Sequence, residues 1–231
     1  PPGTPRPQME EDFLLGASEP RESQSPSVEG SRIDPAWIAL VEILARIDRE
    51  PYHWPVGRTT FQKLAYFATE AGLPTGLRHS RGSYGPFAAD LKQITSRLVN
   101  NGLVQEQRLG RMLAVKPGPT YRDAAQAFAC QLTEWEAPIA RTADLILRMR
   151  TEQAEMAATV HFAAQDMQRR TKHRPTECEV LDAALKWKQN RRPPWKEEDV
   201  MWAIRNLSVL GWLQLQPGEQ RVPDEEFLIH V

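Results

Sequence analysis

The chain has little cysteine, no long apolar run and no excess of charge of one sign. Its 231 residues include only two cysteines, Cys130 and Cys178, and neither belongs to a Cys-x-x-Cys pair. This excludes a disulfide framework, and the five scattered histidines complete no metal site, so we expect neither a metal nor a cofactor. Reduced thiols are typical of the cytoplasm.

With 29 basic and 30 acidic residues, no polybasic coat or acidic tail dominates. We expect a globular protein of one or two small domains.

Residues 1–34 differ in composition from the rest of the chain. They contain six prolines, many serine and glutamate residues, and few large apolar side chains. Such a segment cannot bury enough apolar surface to offset the entropy of ordering it, so we predict a disordered linker. Because the first residue is proline rather than methionine, we expect the linker to follow a missing upstream domain. An acidic and apolar patch at 9–15 is either a short docking motif for a partner or a part of the linker that only makes weak nonspecific contacts.

From Asp34 onward, the pattern predicts helices. Asp34 is a suitable N-cap residue, Pro35 suits the first helical position, and apolar residues recur at helical spacing as far as Ile47. Residues 103–115 are typical of two short strands around a turn. A helical segment that ends in such a hairpin predicts a winged-helix-like unit.

Two further helices are expected inside this first unit. The second should open at Thr59, with Gln62 three residues later in capping-box spacing. The third should start near Pro86, with Phe87 on its buried face. Between these two helices, the glycine-rich segment 73–85 predicts a loop.

A similar pattern recurs toward the C-terminus. Thr176 and Glu179 again have capping-box spacing before a predicted helix at 177–190. Another helix is expected after Pro193 and Pro194, and the apolar segments 212–215 and 227–229 predict strands. The helix end, glycine and apolar start at 98–105 match those at 207–214, although many helix-to-strand junctions share these features.

These patterns predict a mainly α fold with small β-hairpins. Two winged-helix-like helix-hairpin units would be joined by long helices, at about 120–150 and 152–171 by periodicity. One irregular helical domain is the alternative interpretation. The predicted divisions are a linker at 1–34, a first unit with a helical extension at 35–150, and a second unit at 151–231.

Several short motifs occur in a recognisable order. Lys63-Leu-Ala-Tyr-Phe67 lies on the predicted second helix, and Arg81-Gly-Ser-Tyr-Gly-Pro-Phe87 follows it. Asn100-Asn-Gly-Leu-Val104 and Leu109-Gly-Arg-Met112 come next. Over residues 56–123, this order resembles the C-terminal region of DarG-type antitoxins of the DarT/DarG toxin–antitoxin system. It is also similar to SocA-like (Panacea) antitoxin domains.

The resemblance implies a function in a bacterial cytoplasm. DarT-like toxins transfer ADP-ribose from NAD onto thymidine in single-stranded DNA. DarG-like antitoxins carry an upstream macrodomain that removes the modification, and their C-terminal domain binds the toxin with a surface that mimics DNA. The full-length parent would then resemble a macrodomain DNA ADP-ribosyl glycohydrolase, whereas this fragment contains no macrodomain.

No catalytic constellation can be named in the sequence. The chain lacks Gly-x-Ser-x-Gly, a P-loop and His-Glu-x-x-His. Ser83 and His79 could suggest a nucleophile and a base, but no carboxylate is identified to orient the histidine. We therefore expect no catalytic residue and no enzymatic activity in this fragment.

Candidate toxin contacts fall into two sets. Arg81 and Tyr84 belong to a glycine-rich loop, and both residue types are favoured interface anchors. A DNA mimic must also supply acids where phosphates would lie, and residues 197–231 carry seven acids against two basic residues. The acids expected to take part are Glu197, Glu198, Asp199, Asp224, Glu225 and Glu226. The alternative is that the first three only complement the helix dipole and the last three form a solvated edge.

The alternative function is a winged-helix DNA-binding module. Residues 165–196 hold nine basic and four acidic residues, with tryptophans interspersed. Cations could meet phosphates there, and an indole could stack on bases. The residues expected in that role are Arg169, Arg170, Lys172, Arg174, Lys188, Arg191, Arg192 and Trp195. Trp187 lies at helical spacing with apolar residues and is expected in the core.

Overall fold

The computed structural model describes residues 33–110 and 112–217. The predicted linker lies outside this range except for its last two residues, and so do the predicted strand at 227–229 and the acids at 224–226. The described helices are α1 Pro35–Arg49, α2 Arg58–Glu70, α3 Asp90–Asn100, α4 Tyr121–Ala127, α5 Ala129–Glu134, α6 Glu136–Leu147, α7 Thr151–Thr171, α8 Glu177–Trp187 and α9 Glu197–Val209. None of them is long and apolar enough to cross a membrane.

Two antiparallel hairpins complete the described part of the chain. The strands are β1 Ser80–Gly82, β2 Gly85–Phe87, β3 Val104–Leu109 and β4 Met112–Pro117. β1 pairs with β2 around a two-residue turn, and β3 pairs with β4 from Val104 opposite Pro117 to Leu109 opposite Met112. The prediction of a mainly α fold with small β-hairpins is therefore confirmed.

Local capping explains where two of the helices, α1 and α8, begin. The Asp34 carboxylate accepts a hydrogen bond from the Ala36 amide at 2.9 Å, so the predicted N-cap of α1 is confirmed. At α8, the Thr176 side chain accepts from the Glu179 amide while the Glu179 side chain accepts from the Thr176 amide. This reciprocal pair confirms the predicted capping box.

The helices α1, α2 and α7 carry most of the core. Almost every residue of α1 from Ala36 to Ile47 is buried, which shows that this helix is covered on all sides. Helix α7 packs against α2, α8, α9 and β2. One hydrophobic cluster includes residues from α1 through to Leu213. The division at residue 150 stays a prediction.

Two helix starts in the first unit were predicted wrongly. Helix α2 begins at Arg58, and Gln62 is not part of a capping box, because its side chain bonds both the amide and the carbonyl of Ala88 at 3.1 Å. Helix α3 begins at Asp90 rather than near Pro86, because Pro86 and Phe87 lie in β2. Phe87 is therefore exposed, not buried on a helix face.

The predicted strand at 212–215 is also wrong. The backbone of Trp212 forms hydrogen bonds other than those of a strand. Its amide donates to Leu207 O at 2.7 Å, and its carbonyl accepts from the His161 ring at 3.1 Å. No strand partner for it occurs within 33–110 and 112–217, so the second predicted unit has no described hairpin. The predicted long helix at 120–150 is instead the three helices α4, α5 and α6.

The two matched junctions do share one local structure. Gly102 and Gly211 both end a helix with positive φ, 69° and 71°. In each case the next amide reaches back to a carbonyl five residues earlier, Leu103 to Leu98 and Trp212 to Leu207. These bonds are those of a Schellman-type C-cap, which needs glycine or another residue that tolerates positive φ. The sequence match therefore reflects two equivalent helix ends.

Candidate functional site

Two buried lysines donate hydrogen bonds to backbone carbonyls of the β1–β2 hairpin. Lys63 of α2 donates from Nζ to Pro86 O at 2.8 Å, and Lys188, just after α8, donates from Nζ to Ser83 O at 2.6 Å. Both side chains are nearly inaccessible to solvent. The Lys188 bond holds the turn at Ser83, and the Lys63 bond holds β2 at Pro86, so the two lysines tie the hairpin to the helices that carry them.

A carboxylate on α7 balances part of this buried charge. Glu155 Oε1 accepts from Lys188 Nζ at 2.7 Å, and both side chains are buried. Burial lowers the pKa of Lys63 to about 8 and also lowers the pKa of Lys188, because desolvation disfavours the charged form of each amine. The charge of Glu155 offsets only part of that cost, since the pKa of each lysine remains lowered.

A glycine allows the hairpin to lie this close to α7. Gly85 has φ +87°, and a Cβ placed on it would lie 2.8 Å from Thr159 Oγ1 and 3.4 Å from Glu155 O. No other residue type fits both the backbone conformation and the space. Gly85 therefore sets the distance between the hairpin and the helix.

Arg81, one of the two predicted loop anchors, is engaged within the molecule. Its guanidinium donates to Asp166 at 2.9 Å and lies 5.0 Å from the ring centroid of Trp187. Trp187, which was predicted in the core, is only half-buried, and it donates from Nε1 to Gly82 O at 3.2 Å. Arg81 thus anchors the hairpin to α7 and α8.

Tyr84 is the displayed residue of this hairpin. Its side chain is 69% exposed at the tip of the fixed turn. It borders a groove of about 650 Å³ between α2, α3, the hairpin and the β3–β4 pair. A rigidly supported aromatic side chain beside a concave surface is a favourable anchor for a partner.

The acids of α9 lie beside an exposed tryptophan that was not among the predicted site residues. Glu197, Glu198 and Asp199 form the first turn, and all three are exposed. Trp202, 67% exposed, follows Asp199 by three residues and Glu198 by four, so the three side chains lie on one face. The buried residues Val200, Ile204 and Leu207 define the opposite face; that spacing could have identified Trp202 from the sequence.

Most of the predicted nucleic-acid-binding residues have partners within the protein. Lys188 and Trp195 are buried. Arg169 pairs with Glu70, Arg170 with Asp166 and Arg191 with Glu152. Arg192 donates to the carbonyls of Gln189 and Arg191, whereas Lys172 and Arg174 are exposed at and beyond the end of α7. Of the eight predicted residues, two are therefore buried and three pair with carboxylates, of which Arg169 and Arg170 remain exposed at the surface.

The Lys63-x-x-Tyr66 motif supports the core as well as the hairpin. Tyr66 and His161 are joined by a hydrogen bond of 2.7 Å between the phenol oxygen and Nδ1, and His161 Nε2 lies 3.1 Å from Trp212 O. Because a carbonyl only accepts, Nε2 carries the proton and Nδ1 accepts from the phenol. The motif thus joins α2 to the hairpin, to α7 and to the segment after α9.

Lowering the pH from 7 to 5 should destabilise the protein through His161. Burial lowers its pKa to about 4 from the ordinary value of 6.5. The unfolded chain therefore binds a proton at higher pH than the native chain, and stability is lost as the pH falls from 6.5 toward 4. The loss attributable to His161 at pH 5 is about 2 kcal/mol. Urea unfolding at both pH values measures it.

The variant His161→Gln isolates this contribution. Glutamine can still donate to Trp212 O and accept from Tyr66, but it does not titrate. His79, whose pKa burial also lowers to about 4, remains in both proteins. The variant should lose about 2 kcal/mol less than the wild type between pH 7 and 5. Equal pH dependence of the two proteins would contradict the assignment.

Catalytic and metal-binding arrangements do not emerge in the part of the chain that is described. No hydrogen bond joins Ser83 to His79 there, and no group of three histidine, cysteine or acidic side chains could hold a metal ion. What the described surfaces offer is contact area: an exposed tyrosine beside a groove, and an acidic helix face with a tryptophan.

Comparison with known proteins finds a partial similarity. The chain is 29% identical over 133 residues to a DNA ADP-ribosyl glycohydrolase of Thermus aquaticus, and the alignment covers 57% of this chain and 36% of that protein. The match thus spans only about a third of the length of its relative. No protein-family model matches the chain. The chain is a distant homologue of a protein of that name, which supports the relation to DarG-type proteins that its motifs resemble.

Proposed function

We propose that this chain binds a DarT-like DNA ADP-ribosyltransferase and neutralises it by occupying its groove for single-stranded DNA. The motif order at 56–123 and the distant similarity to a DNA ADP-ribosyl glycohydrolase support a partner of this class. The observation that carries the proposal is the outer face of α9, where Glu198 and Asp199 lie beside the exposed Trp202. This role requires no hydrolysis by the chain itself.

The chemistry of single-stranded DNA explains why this face suits a mimic. A protein that grips single-stranded DNA combines cations for the phosphates with surfaces on which bases stack. Carboxylates can occupy the phosphate sites, and an indole can occupy a base site. In the free protein Trp202 exposes a large apolar surface, and tryptophan is among the residues that contribute most when an interface buries it. Helix α9 presents both chemistries on a rigid element.

The internal pairing of the basic residues disfavours the alternative of a DNA-binding module. Nucleic-acid binding draws its affinity from cations that are free to neutralise phosphates. Of the eight residues predicted for it, two are buried and three pair with acids. Among those eight residues, the cations without a carboxylate partner in the described part of the chain are Lys172, Arg174 and Arg192.

Tight binding to the purified cognate toxin, displaced by single-stranded DNA, is the expected result. Both Trp202→Ala and Glu198→Lys should weaken it at least tenfold, because each removes one half of the mimicked ligand. Titration calorimetry at two salt concentrations, with the toxin and with single- and double-stranded oligonucleotides, measures these affinities. Raised salt should weaken the complex, because charge pairs contribute to it.

The matched controls are Trp54→Ala and Glu134→Lys. Trp54 is 55% exposed in the loop after α1, and Glu134 is an exposed acid at the end of α5. Both variants should bind the toxin like the wild type. Strong, salt-sensitive DNA binding without toxin binding would instead establish the DNA-binding module.

A further inference from the structure

The groove beside Tyr84 is a second large surface, separate from the acidic face of α9. It has a volume of about 650 Å³ and is partly open to solvent. That volume lies in the range of pockets that bury a compact ligand or a few side chains. Its lining is largely apolar: Phe61, Tyr84, Phe87, Leu91, Val99 and Val115. The groove is formed where the hairpin, α2, α3 and the β3–β4 pair meet.

Three exposed apolar side chains border this groove. Tyr84, Phe87 and Val99 border it, and they are three of the eight large hydrophobic residues that are exposed in 33–110 and 112–217. Clustered apolar exposure of this kind is typical of interaction sites, whereas isolated exposed residues are ordinary. This contiguous apolar surface is therefore suited to binding a partner.

The charges at the edge of the groove restrict what can cover it. Arg58 is paired with Glu106 through two hydrogen bonds of 2.7 Å, and Lys63 uses its amine on Pro86 O. Lys92 of α3 is exposed and has no carboxylate partner in the described part of the chain. A partner that places apolar side chains in the groove and one carboxylate near Lys92 would therefore complement this surface. A nucleic acid would need several free cations.

We infer that the groove binds an amphipathic segment of the toxin, with apolar side chains seated between Tyr84 and Val99 and an acidic side chain facing Lys92. This inference rests on the proposed function, because it assigns the groove to the same protein partner. The groove would provide a second contact with the toxin, one that does not imitate DNA. The toxin segment bound there would be acidic, whereas the toxin's groove for DNA would be basic.

The supported hairpin makes this groove suitable for binding. One wall is fixed by the bonds from Lys63 and Lys188, and Gly85 seats it against α7. A wall that is already ordered loses little conformational entropy when the partner arrives, and such preorganisation increases affinity. The aromatic ring of Tyr84 has few rotatable bonds, which further reduces that cost.

Affinity for the purified cognate toxin tests the inference with two groove variants. Val99→Asp places a charge in the apolar lining and should raise the dissociation constant at least tenfold. Lys92→Glu reverses the free cation and should raise it several-fold, with partial recovery at high salt because the repulsion is screened. Circular dichroism and thermal unfolding confirm that each variant is folded.

Matched controls separate the groove from general surface effects. Leu109→Asp charges an apolar residue that is 40% exposed, close to the 37% of Val99, but lies outside the groove. Lys186→Glu reverses an exposed lysine on α8. Both should bind like the wild type.

The outcomes distinguish this inference from the proposed function. If the wild type binds and the groove variants match their controls, the inference is wrong and the α9 proposal stands. If Trp202→Ala and the groove variants each weaken binding, both are supported. If the wild type does not bind the toxin at all, the proposed function fails and the inference fails with it.

Discussion

The variant Gly85→Ala should lower the free energy of unfolding by about 2–5 kcal/mol. Alanine at φ +87° costs about 1–2 kcal/mol. The new methyl group also lies 2.8 Å from Thr159 Oγ1, and overpacking of this kind adds about 1–3 kcal/mol. The neighbouring atoms belong to α7, so the hairpin must move instead. Urea denaturation at pH 7 measures the loss.

The matched control for this prediction is Gly76→Ala. Gly76 also has positive φ, +69°, but a Cβ there would meet nothing within 4 Å. Its cost should be limited to the backbone term of about 1–2 kcal/mol. Equal destabilisation by the two substitutions would show that contact with α7 does not set the position of the hairpin.

The variant Lys188→Met should cost about 3–5 kcal/mol, because it leaves the Glu155 carboxylate buried without its main partner. It also removes the donor to Ser83 O, so the turn that displays Tyr84 loses one of its supports. Methionine has a similar length and keeps the packing volume. Chemical denaturation of the variant and the wild type gives the difference.

A double variant distinguishes charge burial from lost packing. In Lys188→Met with Glu155→Met, no unpaired carboxylate remains, so part of the stability should return. Lys186→Met, which replaces an exposed lysine two residues earlier, should change stability by no more than about 0.5 kcal/mol. A double variant less stable than Lys188→Met would contradict this account.

Helix caps were the most predictable part of this fold. The starts of α1 and α8 depend on contacts within three residues, so Asp34 and the pair Thr176 and Glu179 reveal them directly. Gln62 had the same spacing from Thr59, yet its side chain bonds Ala88, 26 residues away. A local rule cannot anticipate a competing partner from another part of the chain.

The β1–β2 hairpin was not predicted, for a similar reason. Its strands have three residues each and contain glycine and proline, so their own strand propensity is weak. Their order comes from Lys63, Trp187 and Lys188, none of which lies next to them in sequence. The sequence did indicate Tyr84 and the acids of α9 as candidate contacts. The groove could not be predicted, because it forms only where α2, α3, the hairpin and the β3–β4 pair meet.

The support of the hairpin by Trp187 and Lys188 has a consequence for biosynthesis. The bonds from these residues to Gly82 O and Ser83 O each join positions 105 residues apart. A ribosome makes the chain from its N-terminus, so the hairpin emerges long before the residues that secure it. The surface around Tyr84 therefore becomes competent only once α8 has been synthesised and folded. A nascent or truncated product that ends before Trp187 would contain the 81–87 motif, but its hairpin would lack the bonds that hold Tyr84 in position.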